Sequence, residues 1–214
     1  MQTITVGGNT YNLVAMPATP GFVDIELGIS DAIAVVTSPF TRQEQTQGWP
    51  GGDFWDGSIT LPPMMRAQAW PWEGFMAELR GRLQVFQCGD PRAATPLGRA
   101  LGAPVVSNSG SNNLPMTWVL KTTGWQASRF DLLLPGDQFQ VGYRLHRVCE
   151  RVNSDASGNA TIIVSPSLRE TPANAAPLIL NAPKGLFRLT SNRRAIQASR
   201  TRLTTFSLKL QEVK

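Results

Sequence analysis

His146 is the only histidine of the chain and is therefore the first candidate for acid–base chemistry. It stands in a strand-like segment beside Arg144 and Arg147. A Ser-His-Asp triad needs a carboxylate that orients the imidazole, and the neighbouring sequence offers none. We therefore interpret His146 as a structural histidine and predict no catalytic residue around it.

The side chains typical of metal sites are equally sparse. Cys88 and Cys149 are the two cysteines, and their spacing is neither that of a metal site nor that of a redox motif. Catalytic zinc needs several His, Cys or carboxylate ligands, so we predict no metal and two reduced, buried thiols. Neither a dinucleotide fingerprint nor a phosphate-binding loop occurs, because the glycine pattern of Gly98–Gly102 is too short. The sequence predicts no cofactor.

One stretch combines carboxylates with aromatic rings. Asp53 and Asp56 lie among Trp49, Phe54 and Trp55 in a segment rich in glycine. A glycosidase uses a pair of carboxylates, and carbohydrate sites also use tryptophan, so a sugar-cleaving site is one interpretation. A tight aromatic loop that packs its rings against a neighbouring protein needs no catalysis. We favour that second interpretation and predict that the chain is not an enzyme.

Charge is divided unevenly between the two ends of the chain. Residues 1–60 hold one base and six acids, and residues 184–214 hold eight bases and one acid. The basic end lacks a stacking platform for bases, since only Phe187 and Phe206 flank its arginines, so nucleic-acid binding is not favoured. In a ring of identical copies, each subunit presents one patch to the next, and opposite charges can fix the register of that contact.

The chain of 214 residues is long enough for one large β domain or two small ones, each with its own core. No apolar run approaches the roughly 20 residues that a membrane helix needs. The first residues also lack the basic and apolar regions of a signal peptide. The sequence therefore predicts neither a membrane span nor export, and a protein that folds in the cytoplasm where it is made.

The most regular pattern runs from Leu134 to Pro166. Phe139, Val141, Tyr143 and Leu145 alternate and predict one face of a strand. The polar segment 153–159 predicts a turn in which Asp and Asn bind their own backbone and Gly158 takes a positive φ, and 160–164 predicts the returning strand. Further strands are predicted at 3–6, 10–14, 23–27, 32–36, 58–61, 83–86, 118–122 and 202–213.

A single helix is predicted among these strands. Apolar residues recur at three- and four-residue steps from Trp72 to Leu83, which favours an amphipathic helix. Pro71 suits the first turn of a helix and Gly81 suits its end, so we predict a helix at 71–80. The fold class is therefore mainly β with one α-helix. We predict a β-sandwich-like domain from residues 1–90 and 184–214, and a β-barrel-like module from 91–183.

Several motifs follow one another in a characteristic order along the chain: Trp49–Gly57, Trp72–Gly81, Phe86–Pro91, Pro135–Gly142, Asp155–Thr161, Pro166–Arg169 and Gly185–Leu189. This order resembles that of the distal tail or tail-tip (baseplate) proteins of long-tailed, siphovirus-type bacteriophages. The resemblance covers most of the chain and depends on the order of the motifs, because each motif alone is a common turn-and-strand pattern.

This resemblance implies a structural virion protein that forms a ring, a homohexamer, between the tail tube and the tail-tip hub. The tail tube protein and the hub proteins would be its partners, and no larger carbohydrate-binding insertion is evident in the sequence. We predict that Trp49, Phe54 and Trp55 contact a partner. The predicted interface between copies pairs acidic with basic residues: Asp24, Glu26, Asp53 and Asp56 with Arg193, Arg194, Arg200 and Arg202. The alternative function is a carbohydrate-binding β module for host attachment, with candidate residues Trp49, Trp55, Trp118 and Trp125.

Overall fold

The computed structural model describes residues 2–108, 112–193, 197–198 and 203–214, with the side chains of 197–198 left aside. The described chain is mainly β with one α-helix, as the sequence predicted. It divides into two compact units: residues 1–28, 55–90 and 184–214, and residues 29–54 and 91–183. The segment 29–54 lies in the second unit, whereas the sequence analysis placed it in the first domain.

The strands follow one another in chain order. The first seven are β1 (Gln2–Val6), β2 (Asn9–Leu13), β3 (Asp24–Ser30), β4 (Ile33–Thr37), β5 (Glu44–Gly48), β6 (Phe54–Thr60) and β7 (Phe86–Cys88). The next five are β8 (Gly102–Val106), β9 (Thr117–Trp125), β10 (Gln138–Val141), β11 (Arg144–Val148) and β12 (Ala160–Leu168). The last five are β13 (Leu178–Ile179), β14 (Gly185–Leu189), β15 (Gln197–Ala198), β16 (Thr204–Thr205) and β17 (Ser207–Glu212).

The first unit is built on a five-stranded sheet in the order β3-β6-β17-β14-β7. Alternate residues of β17 are buried, among them Leu208 and Leu210, so this part of the predicted terminal strand has one largely apolar face. The single strand predicted at 202–213 is divided into β16 and β17, and Arg202 lies outside the described residues. Gly57 on β6 has no room for a side chain, because a Cβ there would lie 1.9 Å from the carbonyl oxygen of Glu26 on β3. This glycine therefore permits the close approach of the two strands.

The helix α1 (Arg66–Leu79) buries one stripe of side chains at helical spacing: Ala69, Trp72, Phe75, Met76 and Leu79. The Phe75 ring meets Trp72 and Phe86 edge to face, with centroids 5.8 and 5.5 Å apart. The helix begins five residues earlier than predicted, and Pro71 lies inside it. The preceding residues Arg66–Ala69 are good helix formers, and their propensity extends the helix through the proline. Arg80 then adopts a left-handed conformation and ends it.

The second unit is a nearly closed barrel in the order β13-β10-β11-β12-β9-β8. Val106 of β8 exchanges backbone hydrogen bonds with Ala175 and Ala176, beside β13, which brings the two ends of the sheet together. The interior is apolar and includes Leu120, Phe139, Ile162 and Val164. The strands β4 and β5 pair only with each other. They belong to this unit by contact but to neither large sheet.

The segment predicted as one strand from 139 to 145 is two strands. β10 and β11 pair with each other, Val141 opposite Arg144, through a two-residue turn at Gly142 and Tyr143. Gly142 has a φ of +57°, and glycine at the first turn position is typical of a type II′ hairpin. The later turn agrees with its prediction, since the Asp155 carboxylate accepts from the backbone of Ser157 and Asn159 and Gly158 has a positive φ.

Candidate functional site

The hairpin of β4 and β5 is the part of the described chain with the least cover. Nine of its ten strand residues are exposed, Ala34 being half-buried, and neither strand joins a larger sheet. The pairing is regular, from Ile33 opposite Gly48 to Thr37 opposite Glu44. The loop closes through a bond from the Ser38 N–H to the Gln43 carbonyl, 2.8 Å long. The hairpin is thus well formed, although both of its faces meet solvent.

The apolar side chains of this hairpin are on its first arm and its tip. Val36 is 65% exposed and Phe40 at the tip is 94% exposed, and Ile33 and Val35 are also exposed. The second arm reads Glu-Gln-Thr-Gln-Gly and holds no apolar residue. An isolated two-stranded hairpin is only marginally stable in water, because it has no layer to pack against. Burying Val36 and Phe40 would contribute about 1.5–3 kcal/mol each.

The chain that follows β5 is anchored, in contrast with the hairpin itself. The Trp49 N–H donates to the Ala32 carbonyl and continues the pairing by one step, and the Trp49 ring stays half-exposed. The Gly52 N–H donates to the Trp49 carbonyl and forms the turn. A Cβ on Gly52 would lie 2.5 Å from that of Ala32, so glycine is needed for this tight passage.

Asp53 fixes the end of this turn inside the second unit. Its carboxylate is buried and accepts from the Ser167 N–H at 2.6 Å, from the Ser167 hydroxyl and from the Gly51 N–H at 3.2 Å. Arg169 donates to the Asp53 carbonyl. These bonds join the turn to β12, and they explain why 29–54 lies with the second unit. The carboxylate is occupied within its own chain, and its pairing with an arginine of another copy stays a prediction.

His146 is buried beside this cluster. Its Nδ1 donates to the Pro166 carbonyl at 2.9 Å, and the Phe139 ring lies 5.7 Å away. Burial lowers the pKa of His146 to about 4, and the nearby Arg144 and Arg169 add to this effect. Ser167 bonds to Asp53 and not to the imidazole in the described contacts, so the three side chains are not arranged as a Ser-His-Asp triad.

The remaining predicted interface residues have different surroundings. Asp24, Glu26 and Arg193 are exposed, and Asp56 is half-buried. They belong to the first unit, and their contact with another copy stays a prediction. The other three predicted arginines lie outside the described residues: Arg194, Arg200 and Arg202.

The tryptophans predicted to bind a partner or a sugar are divided by burial. Trp55 is fully buried by its own chain and Phe54 is half-buried. The partner contact predicted for both residues, and the sugar contact predicted for Trp55, stay predictions. Trp125 is also buried, and its indole N–H donates to the Thr122 hydroxyl at 2.8 Å. Trp49 and Trp118 are about half-exposed and remain available for contact.

The cysteines also differ from each other. Cys88 is buried, and burial raises its thiol pKa to about 12. Cys149 is exposed, so the prediction of two buried thiols is wrong for that residue. Among the residues that the structure describes, no group of three His, Cys, Asp or Glu side chains is arranged to hold a metal ion.

Sequence reasoning missed the exposed hairpin, although it predicted a strand at 32–36. The signal was present in the second arm, whose five residues contain no apolar side chain and therefore cannot face a core.

Comparison with known proteins adds no identity: no family model matches the chain, and no curated protein matches it significantly. The described part of the chain also has no helix with the length and hydropathy of a membrane span.

Proposed function

We propose that the protein is a structural subunit of a bacteriophage tail that forms a ring at the distal end of the tail tube and joins it to the tail-tip hub. The observation that carries the proposal is the uncovered hairpin of β4 and β5, whose exposed valines and tip phenylalanine lack a layer to pack against. A neighbouring subunit would supply that layer. The order of sequence motifs supports the particular setting, and it implies six copies.

Assembly is the mechanism in this proposal, and the chain has no enzymatic role. Buried apolar area supplies most of the affinity, since exposed ion pairs contribute only about 0–1 kcal/mol each. The exposed acids Asp24 and Glu26 of one copy then select the orientation of the basic end of the next. The ring belongs to the virion and is assembled in the host cytoplasm, with the tail tube and hub proteins as its partners.

The test is the mass of the purified chain by light scattering over a range of concentrations, followed by particle images. The proposal predicts closed rings of about six copies at high concentration or after addition of the tail tube and hub proteins of the same phage. A chain that stays monomeric under all of these conditions would contradict it. Reversal of Arg193 and Arg194 to Glu tests the charge contribution, and we expect weaker assembly that tolerates less salt.

A further inference from the structure

A polar groove of about 690 Å³ lies on the second unit, outside the hairpin and outside the Asp53 cluster. Its volume is within the range of small-molecule sites. One wall comes from β9 and β12, where Lys121 stands directly opposite Thr161. The other wall comes from Arg151, Asn153 and the turn that contains Asp155 and Asn159.

The floor of this groove is held in place by buried hydrogen bonds. Thr122 and Ala160 are paired across β9 and β12, and the Thr122 hydroxyl donates to the Ala160 carbonyl at 2.8 Å. The same hydroxyl accepts from the Trp125 indole. Gly158 passes so close to Trp125 that a Cβ would lie 2.4 Å from its carbonyl oxygen. The groove is therefore preformed by the barrel, and a ligand would not have to order it.

The groove wall offers donors and acceptors in mixed order. The Asn153 carboxamide uses its oxygen to accept from the Asp131 N–H, which leaves its NH₂ group. The Asn159 NH₂ group donates to the Asp155 carboxylate, and the Asn159 carboxamide oxygen can accept from a ligand. Thr161 is exposed and has a hydroxyl that can do both. The Lys121 ammonium donates to the Asn112 carboxamide oxygen at 3.4 Å and has further N–H groups that can donate to a ligand. Such a mixture matches hydroxyl groups, which also donate and accept.

The charges around the groove cancel. Lys121 and Arg151 are positive, and Asp155 and Asp131 are negative, with Arg151 paired to Asp131 at 3.1 Å. The Asp155 carboxylate accepts from the backbone of Ser157 and Asn159 and from the Asn159 carboxamide, so its charge is fixed inside the groove. A phosphate or another strong anion would meet this carboxylate, and a lipid would meet few apolar atoms. An uncharged, polar ligand has neither disadvantage.

We propose that this groove binds a short, uncharged oligosaccharide through Lys121, Asn153, Asn159 and Thr161. The site differs from the tryptophan-based sugar site considered from the sequence, because Trp49 and Trp118 are not among its lining residues. It is also separate from the proposed contact between copies, because none of its lining residues belongs to β4, β5 or the loop between them.

The test uses the full chain on an array of uncharged and acidic oligosaccharides, with inorganic phosphate as a separate probe. Calorimetry of the tightest uncharged glycan then compares Thr161→Val with Thr123→Val, a neighbouring threonine of β9 outside the groove. We expect Thr161→Val and Lys121→Met each to weaken binding by roughly tenfold through lost hydrogen bonds, and Thr123→Val to leave it unchanged. We also expect the affinity to be insensitive to added salt.

Three results would overturn the proposal. One is that no uncharged glycan binds to the chain. Another is that only acidic glycans or phosphate bind, which would assign the groove to an anion. The third is binding that Thr161→Val and Thr123→Val affect equally, which would place the ligand elsewhere. A failure of this kind would leave the ring unaffected, because ring formation is measured separately by light scattering.

Discussion

Two hairpins of the second unit both have regular antiparallel pairing, but their surroundings are opposite. β10 and β11 are joined by a two-residue turn, and all but one of their nine residues are buried, because β12 and β13 flank them and the barrel interior covers them. β4 and β5 form an equally regular ladder, and nine of their ten residues are exposed. Backbone pairing alone therefore does not distinguish the two hairpins.

The difference lies in where the packing layer comes from. The first hairpin carries apolar residues on both arms, and its own chain supplies the neighbours that bury them. The second hairpin has apolar residues only at its first arm and tip, and the described chain supplies no covering layer for them. In the proposed ring, that layer is a second copy of the chain.

The largest contrast is expected from matched phenylalanine substitutions in the two hairpins. Phe139→Ala removes a fully buried ring from the barrel interior and should lower the free energy of unfolding by about 3–5 kcal/mol. Phe40→Ala removes a ring that is 94% exposed and should change it by less than about 0.5 kcal/mol in dilute solution. Urea denaturation measures both. Equal losses would mean that the Phe40 ring is covered within the single chain.

The buried hairpin should also carry a pH dependence that the exposed hairpin lacks. The pKa of His146 is about 4 in the folded chain, below the ordinary value of 6.5. Between these values the unfolded chain binds a proton that the folded chain does not, so stability falls as the pH drops from 6.5 towards 4. The loss from this group should total about 3 kcal/mol.

His146→Gln is the variant that isolates this contribution. We expect the difference in unfolding free energy between pH 7 and pH 4 to be smaller in the variant than in the parent chain, whatever its absolute stability. Denaturation curves at matched pH values measure this difference. The same pH dependence in both proteins would contradict a buried, neutral His146.

A smaller effect is expected at the junction between the exposed hairpin and the barrel. Asp53→Asn replaces a carboxylate oxygen with an NH₂ group that cannot accept, so at least one hydrogen bond from Ser167 or Gly51 to this side chain is lost. We expect a loss of about 1–3 kcal/mol in unfolding free energy. Asp24→Asn, at an exposed aspartate, is the control and should have an effect within about 0.5 kcal/mol. Similar effects at both positions would remove the structural role of Asp53.

Substitutions in the exposed hairpin are expected to affect assembly, where a tenfold change in affinity corresponds to about 1.4 kcal/mol. Val36→Thr and Phe40→Ser should each weaken association by roughly tenfold or more, because each removes apolar area from the contact between copies. Leu97→Ser is the matched control, since Leu97 is also exposed in the second unit but lies outside the hairpin. Light scattering over a dilution series measures the change. Equal weakening by all three substitutions would indicate non-specific association.

Local patterns in the sequence were sufficient for the fold class, for most strands and for the turn at 153–159, because alternation and turn residues act over a few positions. They were insufficient at Gly142, where alternation continued through a hairpin turn and one strand was predicted instead of two. The early start of α1 does not follow from the local pattern, because Pro71 favours the first turn of a helix, whereas Arg66–Ala69 continue the helix before it.

The candidate site was less predictable, because burial depends on contacts distant in sequence. The sequence neighbours of Asp53 favour an interface residue. In the structure its carboxylate accepts a hydrogen bond from Ser167, which lies 114 positions later in the chain. Trp55 was assigned to a partner and is covered by its own chain. The exposed first arm of the hairpin was missed for a similar reason, since a valine-rich strand shows nothing about what covers it.

The most direct test of a contact between copies is amide hydrogen exchange in β4 and β5, measured as a function of protein concentration. If a second copy covers the hairpin, protection of Ile33–Thr37 and Glu44–Gly48 should rise as rings form, while β10 and β11 stay protected throughout. Rings that form with no gain of protection in β4 and β5 would show that the hairpin is not the contact between copies.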